Sequence, residues 1–264
     1  MMDGMHRNPH SHKGENGKVA VIGGSPTIHG APLLSALAAE AGGADLVFVC
    51  LPSTHQDVAR ATSLNFQVHP FHGNDLTEND LPPILELLAT MDSCVIGPGL
   101  SRTPAALKVL SDLIDSASCA LVLDAAALQS WTLDVIKGKT AVLTPHLGEL
   151  ERMGIEPDDI GRVAKEHGVT IHLKGSIDRI AAPDGTVTEV RGGNAGLTVG
   201  GTGDALAGLI AGLLAQTMEP LEACRLASTV IKRAGDVLFQ EKGYAYTARE
   251  VIEVIPKVLQ MVGM

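Results

Sequence analysis

Lys18-Val19-Ala20-Val21-Ile22 runs straight into Gly23-Gly24-Ser25-Pro26; the chain then reads helical over Ala31–Ala41 and returns to an apolar run, Leu46–Leu51. A β-rich run, a glycine turn, a helix and a second β-rich run make one βαβ unit, the building block of a parallel sheet. The alternation continues outward from this stretch. Strands are predicted at Asn65–His69, Ser93–Ile96, Ala120–Leu123, Thr140–Leu143 and Thr170–Leu173. Helical patterns fill Thr54–Ser63, Asp80–Met91, Thr103–Asp115 and Pro157–Glu166, with Gly42-Gly43 and Gly168 as helix stops. Strands as continuously apolar as Leu121-Val122-Leu123 fit burial on both faces. The pattern then changes: Pro183-Asp184-Gly185-Thr186 between Arg179–Ala182 and Val187–Val190 is a hairpin signal. Beyond it the chain reads helical over Asp204–Gln216, Pro220–Glu241 and Thr247–Val262. With no linker and no internal repeat, residues 1–264 are expected to form a single α/β domain, with 1–12 a polar N-terminal segment.

Composition narrows the ligands. The 264 residues carry 20 Lys+Arg against 30 Asp+Glu, a net charge of −10, and aromatics make up 3%. That balance argues against a nucleic-acid or anionic-membrane surface, which would show basic stripes, and against base-stacking platforms. No run reaches the roughly 18–20 apolar residues of a membrane span, and Met1–Gly17 lacks the apolar core of a signal peptide. His6, His10 and His12 match no metal-ligand spacing. Cys50, Cys94, Cys119 and Cys224 are scattered, which fits small core side chains in a reducing cytoplasm. An acidic, aromatic-poor chain with 29 glycines must therefore bind its ligand through local geometry.

In open α/β sheets ligands bind at the carboxyl ends of the strands. Those ends here carry Gly23-Gly24, Gly97-Pro98-Gly99-Leu100, Asp124, Thr144-Pro145-His146 and Lys174-Gly175. The strongest signal is Gly200-Gly201-Thr202-Gly203-Asp204, followed by an apolar helix. Glycines let backbone N–H groups approach a ligand, and a helix start adds unpaired donors and partial positive charge, so this stretch reads as an anion hole for phosphate. It is neither a Walker loop nor a dinucleotide-binding glycine motif. Spacing leaves Asp204 two readings, a helix cap or a general base beside a phosphate. The helix terminus would lower its pKa and a neighbouring phosphate would raise it. His146 could equally be a strand-end residue making a backbone contact, Lys174 a solvated rim charge, and Glu149 and Glu151 the acidic first turn of a helix.

In order, Ser11-His12-Lys13-Gly14, Val21-Ile22-Gly23-Gly24-Ser25, Gly30-Ala31-Pro32, Ile96-Gly97-Pro98-Gly99-Leu100, Thr144-Pro145-His146, Leu173-Lys174-Gly175 and Gly200-Gly201-Thr202-Gly203-Asp204 resemble the ADP/ATP-dependent NAD(P)H-hydrate dehydratases, a carbohydrate-kinase-like family of ribokinase-like fold. The resemblance runs from about Lys13 to the last helix, and the fused epimerase domain of many relatives finds no room, so a stand-alone dehydratase is expected. It implies ADP-dependent phosphorylation of the hydroxyl on hydrated NADH or NADPH, then elimination of phosphate, with Mg²⁺ required and ATP an alternative donor. By the same resemblance Asp204 would be the catalytic base, and Ala31, Gly97, Gly99, His146, Asn194 and Asp204 would contact the hydrate. Lys174, Gly175, Ser176, Ile177, Asp178, Gly201, Thr202 and Gly203 would hold the nucleotide; no metal ligand is assigned. The family often has a second carboxylate after its fifth strand, where this chain has Asp124-Ala125-Ala126-Ala127-Leu128. Arg102 and Ser176-Ile177-Asp178-Arg179 also depart from the pattern. A homo-oligomer in the cytoplasm is expected. The competing readings are a ribokinase-like small-molecule kinase acting on a thiamine-precursor alcohol or a sugar, and a nucleotide-binding protein without catalysis.

Overall fold

The computed structural model describes residues 7–262, so His6 lies outside the described residues. Nine strands form one sheet: β1 (Lys18–Ile22), β2 (Leu46–Leu51), β3 (Phe66–Pro70), β4 (Ser93–Ile96), β5 (Ala120–Leu123), β6 (Ala141–Leu143), β7 (Thr170–Leu173), β8 (Asp178–Ala181) and β9 (Val187–Val190). Their order is β3-β2-β1-β4-β5-β6-β7-β8-β9. β1 to β7 pair in parallel, and β8 and β9 add an antiparallel hairpin at one edge. The expected mainly parallel α/β sheet with a small hairpin is present, and the ends of most strands move by one residue at most. Pro70 ends the strand on the opposite edge, where a missing N–H costs no ladder bond.

Side chains alternate across the sheet and build two cores. Val19 and Val21 face one cluster with Val95, Val122 and Val142, under the helices Gly30–Ala41, Thr202–Ala215, Pro220–Lys242 and Ala248–Met261. Ala20 and Ile22 face the other with Cys94, Ile96, Leu121 and Leu123, under the helices Leu81–Leu88, Pro104–Ser116 and Ile160–His167. Cys50, Cys94 and Cys224 are buried, Cys119 is half-buried, and none is in a disulfide, as the scattered spacing suggested. Gly168 ends its helix in the left-handed conformation expected of a stop. The helix Thr132–Val135 is too short to show a period and has no sequence signal, whereas Leu147–Arg152, also short, is signalled by the acidic first turn at Glu149.

Two features of the fold aim its helices at the rim. The chain leaves β1 for β2 on one side and later returns to place β4 on the other, so the β1–β4 junction is the switch point where open sheets bind ligands. The helices Gly30–Ala41 and Thr202–Ala215 also cross at close range: a Cβ on Gly208 would run into the Ser35 backbone. Ser35 Oγ donates to the Asp204 carbonyl oxygen at 2.9 Å. That contact fixes the start of each helix, Ala31 and Asp204, relative to the other.

Candidate active site

The helix Thr202–Ala215 begins at Gly201, which has φ 99° and no side chain with which to cap it. A Cβ at Gly201 would collide with Leu34, so only glycine fits this left-handed entry. The N–H groups of Thr202, Gly203 and Asp204 therefore have no intrahelical acceptor, and the glycine run ends in free backbone donors of the kind that suit an anion. Opposite it lies a cleft of about 720 Å³, within the usual range for small-ligand sites. Lys174, Gly175, Ser176, Asp178, Thr202 and Gly203 border it, as do His146 and Asn194. Its apolar wall is aliphatic, from Leu197, Val199, Leu206 and Ile231. Eight of the sequence-predicted residues thus meet in one cavity, and Ile177 and Gly201 adjoin its walls in sequence.

Three other predicted residues gather at the β1–β4 switch point instead. Gly24 N–H donates to Pro98 O at 2.8 Å and Gly97 N–H to Ile22 O at 3.1 Å, which locks the two glycine loops together. Gly97 sits so close to the Asp124 carbonyl that a Cβ would collide with it. A Cβ on Gly99 would lie 3.3 Å from the Ala31 Cβ. Ala31, Gly97 and Gly99 therefore form one surface, and none of the three borders the cleft. Asp204 lies in the first turn of the helix Thr202–Ala215, whose Thr202, Gly203 and Leu206 border the cleft, though Asp204 itself is not among the lining residues.

A charged cluster joins the two halves. Lys174 Nζ donates to Asp124 Oδ1 at 2.7 Å and lies 3.6 Å from Glu149 Oε2. Thr144 Oγ1 donates to the same Asp124 oxygen at 2.8 Å. A Cβ on Gly203 would sit 3.3 Å from Lys174 Nζ, so the ammonium lies against the glycine loop. Burial works against the Lys174 charge, but Asp124 and Glu149 outweigh it and hold its pKa above the usual lysine value. Lys174 is thus a paired, largely buried cation and no solvated rim charge. Asp204 shows the opposite effect. Burial, then the Asp124 and Glu149 carboxylates, push its pKa up to about 6 against the pull of Lys174. The sign left open by the sequence is upward even with no phosphate present. Such a carboxyl is a stronger base than an ordinary aspartate and is still mostly ionised at neutral pH.

The remaining predicted residues divide by what their atoms already hold. His146 is exposed, and its Nδ1 accepts from the N–H groups of Gly148 and Glu149 at 3.0 and 3.3 Å. It caps the helix Leu147–Arg152, which leaves Nε2, 3.6 Å from Glu149 Oε1, as the nitrogen that carries the proton in a residue bordering the cleft. Asn194 Oδ1 accepts from Gly196 N–H at 2.9 Å and from the Tyr246 hydroxyl at 2.7 Å, so it shapes its loop. Asp178 accepts from Gly175 N–H at 2.9 Å, Ser228 Oγ at 2.6 Å and His172 Nε2 at 3.1 Å. Burial would raise its pKa, yet those bonds hold it down at about 2. Among the described residues no three His, Cys, Asp or Glu side chains are grouped to hold a metal. The described donor set therefore does not make a cage of its own for a divalent cation.

The family described as NAD(P)H-hydrate dehydratase matches residues 19–257. An ADP-dependent (S)-NAD(P)H-hydrate dehydratase of Cenarchaeum symbiosum (strain A) is 39% identical over 265 residues, covering 96% of this chain and 92% of that protein. The chain belongs to the NAD(P)H-hydrate dehydratase family. A bifunctional NAD(P)H-hydrate repair enzyme of Methanopyrus kandleri is 36% identical, and this chain spans 51% of its length. Among solved structures, an ADP/ATP-dependent NAD(P)H-hydrate dehydratase of Bacillus subtilis, co-crystallised with ATP and Mg²⁺, matches with a TM-score of 0.81 at 26% identity, over 97% of this chain and 93% of that one. A ribokinase-like superfamily protein of Enterococcus faecalis matches with a TM-score of 0.85.

Within this dehydratase framework the structure adds residues that sequence reasoning missed. Glu149 is only 4% exposed and faces Lys174. Its Oε2 also accepts from His146 N–H at 2.9 Å, completing a reciprocal cap. The His-x-x-Glu spacing at 146–149 could have revealed the cap, but not the burial. Lys232, on the helix Pro220–Lys242, borders the cleft and is likewise buried. Ala126, which departs in sequence from the carboxylate expected by resemblance, is buried in the second apolar core, and Thr144 and Lys174 hold Asp124.

Proposed function

We propose that this chain removes water from hydrated NADH and NADPH at the expense of ADP, releasing AMP and phosphate. The observation that carries the reading is Asp204, a partly buried carboxyl with its pKa raised to about 6, in the first turn of an uncapped helix whose free N–H groups face the cleft. The nucleotide would occupy the cleft, with Lys174, Gly175, Ser176, Ile177, Asp178, Gly201, Thr202 and Gly203 around it. The adenine would rest on the aliphatic wall, since no Phe, Tyr or Trp borders the cavity. The hydrate would lie toward Ala31, Gly97 and Gly99, with His146 Nε2 and the Asn194 loop closing its side.

In this arrangement Asp204 takes the proton of the ring hydroxyl as its oxygen attacks the β-phosphorus of ADP. AMP leaves, and the hydroxyl has become a phosphate ester. The helix-start N–H groups and Lys174 balance the charge on the moving phosphoryl group, which is most of what phosphoryl transfer asks of a protein. Mg²⁺ on the nucleotide would add charge neutralisation. Hydroxide is a poor leaving group and phosphate a good one, so the C–O bond then breaks with loss of phosphate, the neighbouring ring carbon gives up a proton to solvent, and the new double bond restores the dihydropyridine ring.

The sheet that runs through the described residues supports reading 1–264 as one domain. No helix among the described residues is long and apolar enough to cross a membrane. A cytoplasmic homo-oligomer stays part of the proposal; light scattering after size exclusion tests the assembly. The activity is tested by incubating the protein with NADH hydrate, ADP and Mg²⁺ and following reduced-nicotinamide absorbance. Recovery with stoichiometric AMP and phosphate supports the reading. No recovery with ADP or ATP, while a thiazole alcohol or sugar is phosphorylated, overturns it in favour of a kinase.

A further inference from the structure

Both walls of the cleft hang from one face of one helix. Ser228, Lys232 and Asp236 stand four residues apart on the helix Pro220–Lys242, so they share a stripe. Ser228 Oγ donates to Asp178 Oδ2 at 2.6 Å. Lys232 Nζ donates to two successive carbonyls, Gly175 O at 3.1 Å and Ser176 O at 3.2 Å, and lies 3.4 Å from Asp178 Oδ1. Asp236 reaches the other wall, accepting from Gly193 N–H at 3.1 Å and Asn194 Nδ2 at 3.3 Å. The Lys232 stem supports that wall as well, since a Cβ on Gly193 would meet Lys232 Cγ at 3.2 Å.

Lys232 is only 6% exposed. A buried ammonium must be paired, and a buried pair adds little net stability over well-packed apolar side chains. What it does supply here is direction. In a trans peptide the N–H points opposite the carbonyl of the same unit. Pinning Gly175 O and Ser176 O to Lys232 therefore turns the N–H groups of Ser176 and Ile177 away from it. Neither N–H has an acceptor among the described residues. Gly175 N–H, by contrast, is committed to Asp178.

We propose that Lys232 is a positioning residue for the nucleotide: it holds the carbonyls of the Lys174–Asp178 loop back, so that the Ser176 and Ile177 N–H groups are presented as donors to an adenine nucleotide's anionic phosphates. This rests on the reading of the cleft as the nucleotide site. The test compares the native protein with Lys232→Met and Lys232→Arg, measuring the ADP Kd by calorimetry, KM for ADP and for NADH hydrate separately, and Tm. Lys232→Met is expected to raise the ADP Kd and KM by about tenfold or more, the scale of a lost charged hydrogen bond. The hydrate KM moves by less than about twofold, and Lys232→Arg recovers most of the ADP affinity. If Lys232→Met does not fold, Ser228→Ala serves in its place, with an expected rise of about threefold in ADP Kd. An unchanged ADP Kd in a folded variant, or equal rises in both KM values with a lowered Tm, overturns the proposal. The two readings fail separately. A native protein that binds ADP through Lys232 but leaves the hydrate untouched contradicts only the dehydratase activity, whereas native turnover with ADP affinity indifferent to Lys232 contradicts only this positioning role.

Discussion

Replacing Asp204 by asparagine is expected to silence turnover and stabilise the fold in one step. In the native chain burial, then Asp124 and Glu149, push this carboxyl from its ordinary 3.8 up to about 6. A carboxyl that holds its proton more tightly folded than unfolded weakens the fold wherever it is ionised. At about 1.36 kcal/mol per pH unit, the interval from 3.8 to about 6 sets a ceiling of about 3 kcal/mol. Asp204 keeps some solvent contact, and its charge also supports Lys174, so the gain on neutralising it is about 1–2 kcal/mol. For a chain of this size that is roughly 2–4 °C in Tm for each kcal/mol. The sign follows the titration. The advantage of the variant is absent below the unfolded pKa, grows as pH climbs toward about 6, and is level above it. Thermal unfolding of both proteins across that pH range, beside hydrate turnover, reads the effect. Turnover falls by about 10²–10⁴-fold, the usual contribution of a general base. An asparagine variant that melts below the native protein in mildly alkaline buffer, or one that keeps near-normal turnover, rules out a buried, raised-pKa base at Asp204.

The same cluster sets the rest. The native rate at low substrate is expected to lose activity on the acid side with a midpoint near pH 6, where Asp204 protonates, and a pH profile checks it. Lys174→Met removes the one charge that pulls the Asp204 pKa down, so the acid limb moves to higher pH and the ADP KM rises. Glu149→Gln removes a charge that pushes it up, so the limb moves to lower pH; matched pH profiles of the two variants, shifted in opposite directions, are the check. Gly97→Ala forces a Cβ into the Asp124 carbonyl and strains a φ of 121°, with an expected loss of about 2 kcal/mol or more by chemical denaturation.

Much of this was legible in the chain because the relevant signals are local. The run Lys18–Ile22 into Gly23-Gly24 placed β1 and its turn, and Gly200–Asp204 placed the helix start, since turn chemistry and helix ends follow from neighbours in sequence. The tertiary consequences were less visible. Nothing around Lys174 says that Asp124, fifty residues earlier, will take its ammonium, so a rim charge and a buried pair looked alike. Glu149 read as an acidic first turn, which it is; that it also faces Lys174 depends on how β6 and β7 lie side by side. Asp178 sits inside the predicted nucleotide stretch, but the fold turns it toward Ser228 and His172. Pro220–Glu241 reads in sequence only as helical, and the polar stripe of that helix gains meaning from the loops it meets.

This site is proposed to use a nucleotide to take water off a hydrated nicotinamide. The proposal is tested most directly by mixing the purified protein with NADH hydrate, ADP and Mg²⁺ and quantifying NADH, AMP and phosphate together. The three products are expected in equal amounts, with none when ADP is omitted and only the residual rate when Asp204 is replaced. NADH returning without AMP, or AMP forming while the hydrate persists, would contradict the proposal.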